Sequence, residues 1–299
     1  MDIKNELERI LGSGQVLIDE PMKNHTSFKI GGPADFLVIP NSKEELVDLI
    51  KFLRKKNIKY YLIGNGSNLL VSDKGIRGVV IKTTSLNKVE VIGERVISEA
   101  GASLAKVSAE ALRNSLKGME FASGIPGSIG GAVFMNAGAY CGEMKDIVER
   151  VMVLDREGNV RNLKNEELEF AYRFSNVQKN EYIVLEVELK LEKGNFDEIK
   201  ALMEDLNRKR AEKQPLNYPS AGSVFKRPEG YYAGKLIEDA GLKGAKVGGA
   251  MVSEKHAGFI INFDNATCED VLNLIKLIQT KVYEKFGVML ETEVKYLGE

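Results

Sequence analysis

Apolar side chains recur along this chain with two periods, and each period marks a set of elements. Leu46, Leu49, Ile50 and Leu53 repeat at helical spacing behind Ser42 and Glu45, a pairing that predicts a capping box and a helix start. Lys51, Arg54, Lys55 and Lys56 crowd the end of that helix, where cations suit its dipole. Leu185, Val187, Leu189 and Leu191 instead alternate, predicting a strand over 182–191 with one apolar face. Residues 148–154 alternate in the same way, with a turn at 156–159 and a return strand at 160–163. Lys88–Ile92 and Arg95–Glu99 predict a hairpin around Gly93. The same reading predicts helices over 3–11, 104–112, 165–170, 195–210, 232–240 and 269–286, the last stopped by Gly287. It predicts further strands over 36–39, 59–63, 79–82, 250–252, 258–262 and 289–297. Hairpins mixed with helices make an α+β chain with largely antiparallel pairing, unlike a repeating βα sheet.

Two stretches escape both periods. Ala122–Tyr140 reads ASGIPGSIGGAVFMNAGAY; it holds Gly124, Gly127, Gly130, Gly131 and Gly138, with Gly142 just beyond, and carries no charge. So much glycine predicts neither a good helix nor a good strand. It does allow close approach of a backbone, N–H groups outward, to a flat or phosphate-rich ligand. The second stretch is GNGSN, Gly64–Asn68, directly after a predicted strand. It lacks the third glycine of a dinucleotide fingerprint, and no GK[ST] follows. A packing loop is the plainer role of one glycine cluster and an ordinary turn that of GNGSN; two such loops in one chain favour a ligand. Residues 213–228 form a third irregular stretch, holding Pro215, Pro219 and Pro228, which predicts a boundary.

Composition narrows the classes. A chain of 299 residues exceeds one average domain, and 43% hydrophobic with 28% charged residues provides an ordinary core. A formal charge of −1 gives no general attraction to nucleic acid or to a membrane surface. Cys141 and Cys268 are far apart, and His25 and His256 are the histidines, so neither a disulfide framework nor a metal centre is expected. The amphipathic start lacks a signal-peptide core and no apolar run is long enough to span a bilayer, so a cytoplasmic location is expected.

Five segments in order resemble the UDP-N-acetylenolpyruvoylglucosamine reductases of peptidoglycan synthesis: GNGSN (64–68), GIPGSIGGAVFMNAGAY (124–140), YRFS (172–175), SAGSVFKRP (220–228) and LETEVKYLG (290–298). The first two resemble, more loosely, FAD-binding proteins of the vanillyl-alcohol-oxidase type. The resemblance implies a two-subdomain FAD-binding fold of that type, over 1–84 and 85–208, and a C-terminal α+β substrate domain over 209–299. It implies noncovalent FAD, NADPH as reductant, and reduction of the enolpyruvyl double bond to give UDP-N-acetylmuramate. On it, Gly64, Asn65, Gly66, Ser67 and Asn68 join Gly124, Ile125, Pro126, Gly127, Gly130 and Gly131 around the cofactor's pyrophosphate. Asn136, Gly138 and Ile183 lie near the flavin ring.

The chemistry needs hydride at the terminal carbon, a stabilised carboxylate and a proton at the adjacent carbon. Arg173 resembles the family's catalytic arginine, a guanidinium able to clamp a carboxylate through paired hydrogen bonds. Ser223 resembles its proton donor, and Lys226 or Arg227 could supply the positive charge that so weak an acid needs. Glu293 resembles its essential glutamate. In a strand over 289–297 it would share a face with Glu291 and Lys295, opposite Leu290, Thr292, Val294 and Tyr296. An ionised carboxylate would repel an enolate-like intermediate, so Glu293 must be protonated or offset by Arg173 or Lys295. Tyr140, Arg210, Lys213, Gln214, Lys226 and Lys295 are candidates for the nucleotide sugar, a small-molecule partner. Leu191 leads almost directly to Asn195, leaving no room for the substrate-covering loop that one form of the family carries. An FAD-dependent oxidase of the same wider fold and a non-catalytic binding module are the alternatives. The presence of Arg173, Ser223 and Glu293 together argues against the module, and the lone early His25 argues against covalently tethered flavin.

Overall fold

The computed structural model describes residues 3–140 and 142–299; Cys141 lies outside the described residues. The chain divides into two compact units. The first comprises 1–17, 36–65 and 79–209, and the second 18–35, 66–78 and 210–299. Eight helices are described: α1 (Ile3–Leu11), α2 (Lys43–Lys55), α3 (Leu104–Arg113), α4 (Ile129–Met135), α5 (Asn176–Lys179), α6 (Phe196–Lys213), α7 (Ala233–Asp239) and α8 (Cys268–Phe286).

In the first unit the strands Val160–Lys164, Val148–Leu154, Ile183–Lys190, Arg95–Glu99 and Val89–Ile92 make a five-stranded antiparallel sheet in that spatial order. The alternating residues of the central strand do what their period demands: Leu185, Val187 and Leu189 are buried. Alongside, Tyr60–Ile63 runs parallel to Val79–Lys82. Helix α2 begins where expected, since Ser42 Oγ accepts the Glu45 N–H at 3.1 Å. The reciprocal half of the box is shifted by one residue, because the Glu45 carboxylate takes the Asn41 N–H at 2.7 Å. Leu46, Leu49, Ile50 and Leu53 are completely buried, packed with Leu7, Leu11, Val79 and Ile81 in one of this unit's two apolar clusters.

In the second unit Ser220–Ser223, Phe259–Asn262, Ala250–Val252 and Lys246–Val247 form a four-stranded antiparallel sheet. Helix α8 packs Val271, Leu274, Ile278 and Val282 into its core. It is capped from both directions. Thr267 and Asp270 form a reciprocal box, Asp73 accepts the Cys268 and Glu269 N–H groups at 2.8 and 3.1 Å, and Gly287 ends it at φ +67°. Leu69–Val71 pairs in parallel with Lys295–Leu297.

Four expectations are corrected. Residues 289–297 are not one strand: pairing is confined to Lys295–Leu297, and upstream Thr292 makes an isolated bridge to Phe225. The alternation breaks with it, since Val294 is buried while Tyr296 is 44% exposed. Residues 165–170 reduce to one 3-10 turn, Asn165–Leu168, which Glu169 ends at φ +45°. The glycine-rich stretch does contain a helix, α4, because Ser128 caps it and Ile129, Ala132 and Val133 are buried. The proline-punctuated stretch contains the strand Ser220–Ser223.

Candidate active site

Within the first unit Gly64, the start of GNGSN, meets the longer glycine stretch. The strand Tyr60–Ile63 delivers Gly64, and a Cβ there would lie 2.2 Å from Ser128 Oγ, so a side chain fits only if its surroundings shift. Ser128 is 3% exposed, and its hydroxyl also receives the Gly131 N–H at 3.4 Å. A segment that carried no chemical signal in the sequence, 100–104, closes onto the same place. Ile129 N–H donates to Ala102 O at 2.8 Å, Gly130 N–H to Ala100 O at 2.8 Å, and Leu104 N–H to Gly127 O at 2.9 Å. Gly101 and Gly130 are small for the same reason: their Cβ atoms would meet Thr83 O at 1.8 Å and Ala100 Cβ at 2.9 Å.

These contacts change the expected donor set. Of the 124–131 stretch, Ile125, Gly127, Ile129 and Gly130 already give their N–H groups to backbone carbonyls, and Pro126 has none to give. Among the described residues, no backbone carbonyl receives the N–H of Asn65, Gly66, Ser67, Gly124 or Ser128. Backbone N–H groups that no carbonyl takes are of the kind that can bind a pyrophosphate. Ile183 opens the sheet's central strand and is 4% exposed, and the next turn of that strand gives Leu185 O to Ala100 N–H at 3.0 Å.

Arg173 sits at φ +55°, unusual for a residue with a side chain, inside a tight bridge between Ala171 and Phe174. The turn is braced by the end of the glycine-rich stretch. Asn136, 1% exposed and itself left-handed at φ +42°, donates through Nδ2 to Ala171 O at 3.1 Å and to Glu143 Oε2 at 2.7 Å. Its Oδ1 takes the Lys145 N–H at 2.9 Å, so the side chain is fully used in structure. Gln178 Nε2 donates to Arg173 O at 3.1 Å and to Phe134 O at 2.6 Å. The guanidinium carbon lies 5.1 Å from the Tyr172 ring centroid. Gly138 is close-packed, its Cβ position lying 2.8 Å from Glu143 Cβ. Tyr140 is exposed, at φ +56°, and its hydroxyl donates to Leu206 O of α6 at 2.7 Å.

The second unit brings Ser223 and Glu293 onto adjoining backbone. Ser220 lies opposite Ile261 and Ser223 opposite Phe259, so the strand carries an extra residue, a bulge eased by Gly222 at φ +76°. Such a bulge re-aims the side chain that follows it. Directly beyond, Val224 O receives the Glu293 N–H at 2.7 Å, and Lys226 N–H donates to Glu291 O at 2.8 Å. The Lys226 ammonium pairs with the exposed Glu291 carboxylate at 2.5 Å, while the Arg227 guanidinium lies 4.0 Å from the Tyr232 ring centroid. Arg210 Nη1 donates to Gln214 Oε1 at 3.4 Å at the end of α6, beside Lys213. Lys295 starts the last strand, its N–H held by Asn68 O at 2.9 Å. His256, a residue the sequence did not single out, has its pKa lowered by burial, and its Nδ1 accepts the Gly258 N–H at 3.1 Å.

Comparison with known proteins adds an independent line. Residues 214–297 match the C-terminal domain model of UDP-N-acetylenolpyruvoylglucosamine reductase, and residues 34–164 match a FAD-binding domain model. The chain is 60% identical over 295 residues to the reductase of that name from Caldanaerobacter subterraneus subsp. tengcongensis, covering 99% of this chain and 98% of the relative. It is 58% identical over 294 residues to the Clostridium botulinum protein of the same name, with 98% and 96% covered. The crystal structure of the Thermus caldophilus reductase superposes with a TM-score of 0.81 at 38% identity, over 95% of this chain and 98% of that one.

Proposed function

The chain belongs to the UDP-N-acetylenolpyruvoylglucosamine reductase family, oxidoreductase flavoenzymes with FAD as cofactor, and from that premise we propose the reaction and the residues that carry it. The enolpyruvyl double bond of UDP-N-acetylenolpyruvoylglucosamine is reduced to give UDP-N-acetylmuramate for peptidoglycan synthesis, with NADPH as the reductant. FAD, held noncovalently, supplies the hydride chemistry. We assign 1–84 and 85–208 to its binding and 209–299 to the substrate. The reading places the work in the cytoplasm, and among the described residues no helix is long and apolar enough to cross a membrane.

Three tasks remain for the protein. Arg173 clamps the substrate carboxylate and offsets the charge that builds there as hydride arrives at the terminal carbon. Ser223 donates its hydroxyl proton to the carbon beside that carboxylate. Glu293 is protonated in the substrate complex, because burial under substrate raises its pKa; an ionised form would repel the enolate-like intermediate. Asn65, Gly66, Ser67, Gly124 and Ser128 offer N–H donors to the pyrophosphate, while Tyr140, Arg210, Lys213, Gln214, Lys226 and Lys295 are assigned to the nucleotide sugar.

The observation that carries this reading is the 2.7 Å bond from Glu293 N–H to Val224 O, which puts the glutamate beside the residue following Ser223. The test is anaerobic: bleach the flavin with NADPH, then add the enolpyruvyl substrate. Prompt reoxidation that is lost in Ser223→Ala, with bleaching intact, is the expected result. A flavin reoxidised by air but not by that substrate would refute the reading in favour of an oxidase.

A further inference from the structure

Asn68, the last residue of the GNGSN turn, contacts the segment 293–295. Within the second unit the turn is clamped at Gly66, whose carbonyl takes the Ser27 N–H at 3.1 Å and whose Cβ position lies 2.1 Å from His25 O. From that fixed point Asn68 reaches the C-terminal segment twice. Its Nδ2 donates to Glu293 O at 3.2 Å, and its main-chain O receives the Lys295 N–H at 2.9 Å. Asn68 therefore brackets Val294, immediately before the parallel pairing of Leu69 with Lys295 begins.

Glu293 is thus held by both of its backbone polar groups. Its N–H is tied to Val224, next to Ser223, and its carbonyl is tied to the Asn68 side chain. We propose that the side chain of Asn68 is a positioning group for Glu293 rather than a cofactor ligand, setting the rate of the substrate-reducing step through the orientation of the 293–294 peptide. The proposal rests on Glu293 acting on the substrate, as argued above. Loss of the amide donor leaves that carbonyl without this partner and frees the peptide to turn, carrying the carboxyl with it. A misplacement of about 1 Å at a reacting group costs on the order of 100-fold.

Asn68→Asp keeps the shape and the main-chain bond to Lys295 but removes the donor. The measurements are FAD affinity by flavin fluorescence, the anaerobic rate of bleaching by NADPH, and the rate of reoxidation by UDP-N-acetylenolpyruvoylglucosamine. Expected are FAD affinity and bleaching within about twofold of wild type and reoxidation slowed at least about tenfold. Placed on Glu293→Ala, the same change should add less than about twofold, as coupled residues do. If FAD affinity and both rates fall together, Asn68 is a cofactor ligand and the proposal is overturned; wild-type reoxidation overturns it as well. Glu293→Ala reoxidising at the wild-type rate would instead remove Glu293 from the chemistry, and the proposal with it. Thermal unfolding checks that Asn68→Asp folds; if it does not, Asn68→Ala takes its place in every measurement.

Discussion

Gly64→Ala tests the meeting of the two glycine stretches directly. The new methyl would stand 2.2 Å from Ser128 Oγ where ordinary contact begins at 3.4 Å, a shortfall of about 1.2 Å. Rotating the serine away relieves part of it but gives up the cap on α4, worth about 0.5–1 kcal/mol at so long a bond. Ser128 Cβ, at 3.1 Å, still crowds the methyl after that rotation. Shifting backbone instead is overpacking, which costs about 1–3 kcal/mol. We expect Gly64→Ala to lose about 2 kcal/mol and Ser128→Ala about 0.7 kcal/mol. The double variant should lose about 1.2 kcal/mol, well short of the sum, because the colliding oxygen is gone. Urea unfolding of all four proteins, followed by circular dichroism, reads the cycle. A parallel titration with FAD should show Gly64→Ala binding about tenfold more weakly, since a displaced turn moves the Asn65–Ser67 donors, with partial recovery in the double variant. A double variant as unstable as the sum of the singles, or a Gly64→Ala protein of wild-type stability, would refute the collision.

Two further outcomes concern ionisable groups. Burial lowers the His256 pKa, so the unfolded chain binds this proton first as pH falls. Stability from the neutral ring is therefore full above about pH 6.5 and is lost as pH falls toward and through the folded value. His256→Asn should flatten the fall in Tm as pH drops below about 6.5, and an unchanged slope would contradict it. The Cys268 thiol, 2% exposed, is pushed up to about 12 by burial and, next, by the Asp73 carboxylate. It should react with a thiol reagent at pH 8 in urea but not in the native protein, and rapid native labelling assigned to Cys268 by mass spectrometry would contradict it.

Much of the fold was legible because burial and period coincide. The buried residues of α2 recur at helical spacing and Leu185, Val187 and Leu189 alternate in the strand over 183–190, where Val184 is buried as well, so the sequence marks both elements without help from elsewhere. Where the determining contact is distant, the signal fails. Ser220–Ser223 looks like a proline-framed loop, and it becomes a strand because Phe259–Asn262 pairs with it. Residues 289–294 look like a strand, yet the backbone there is shared between a bridge to Phe225 and the side chain of Asn68. The glycine stretches were conspicuous by composition, but what they pack against was not. Ala100 to Leu104 are small or apolar residues whose contribution is two carbonyls and one N–H, which no side-chain pattern announces. The bracing of the Arg173 turn by Asn136 was hidden for a similar reason, since an asparagine in a loop suggests a turn former before it suggests a strut.

The way the chain is divided has a consequence for how the protein is made. Residues 18–35 and 66–78 leave the ribosome long before 210–299, yet all three belong to one unit. Leu69–Val71 cannot pair until Lys295–Leu297 has been synthesised, and Asp73 waits for the start of α8. During that interval Leu70 and Val71, buried in the finished protein, lack part of their native cover. Sequence separations of this size slow folding and prolong exposure of apolar chain. Removing Lys295–Leu297 therefore damages the protein near residue 70 as well, and the nascent chain is a natural client for chaperones until that strand has been made.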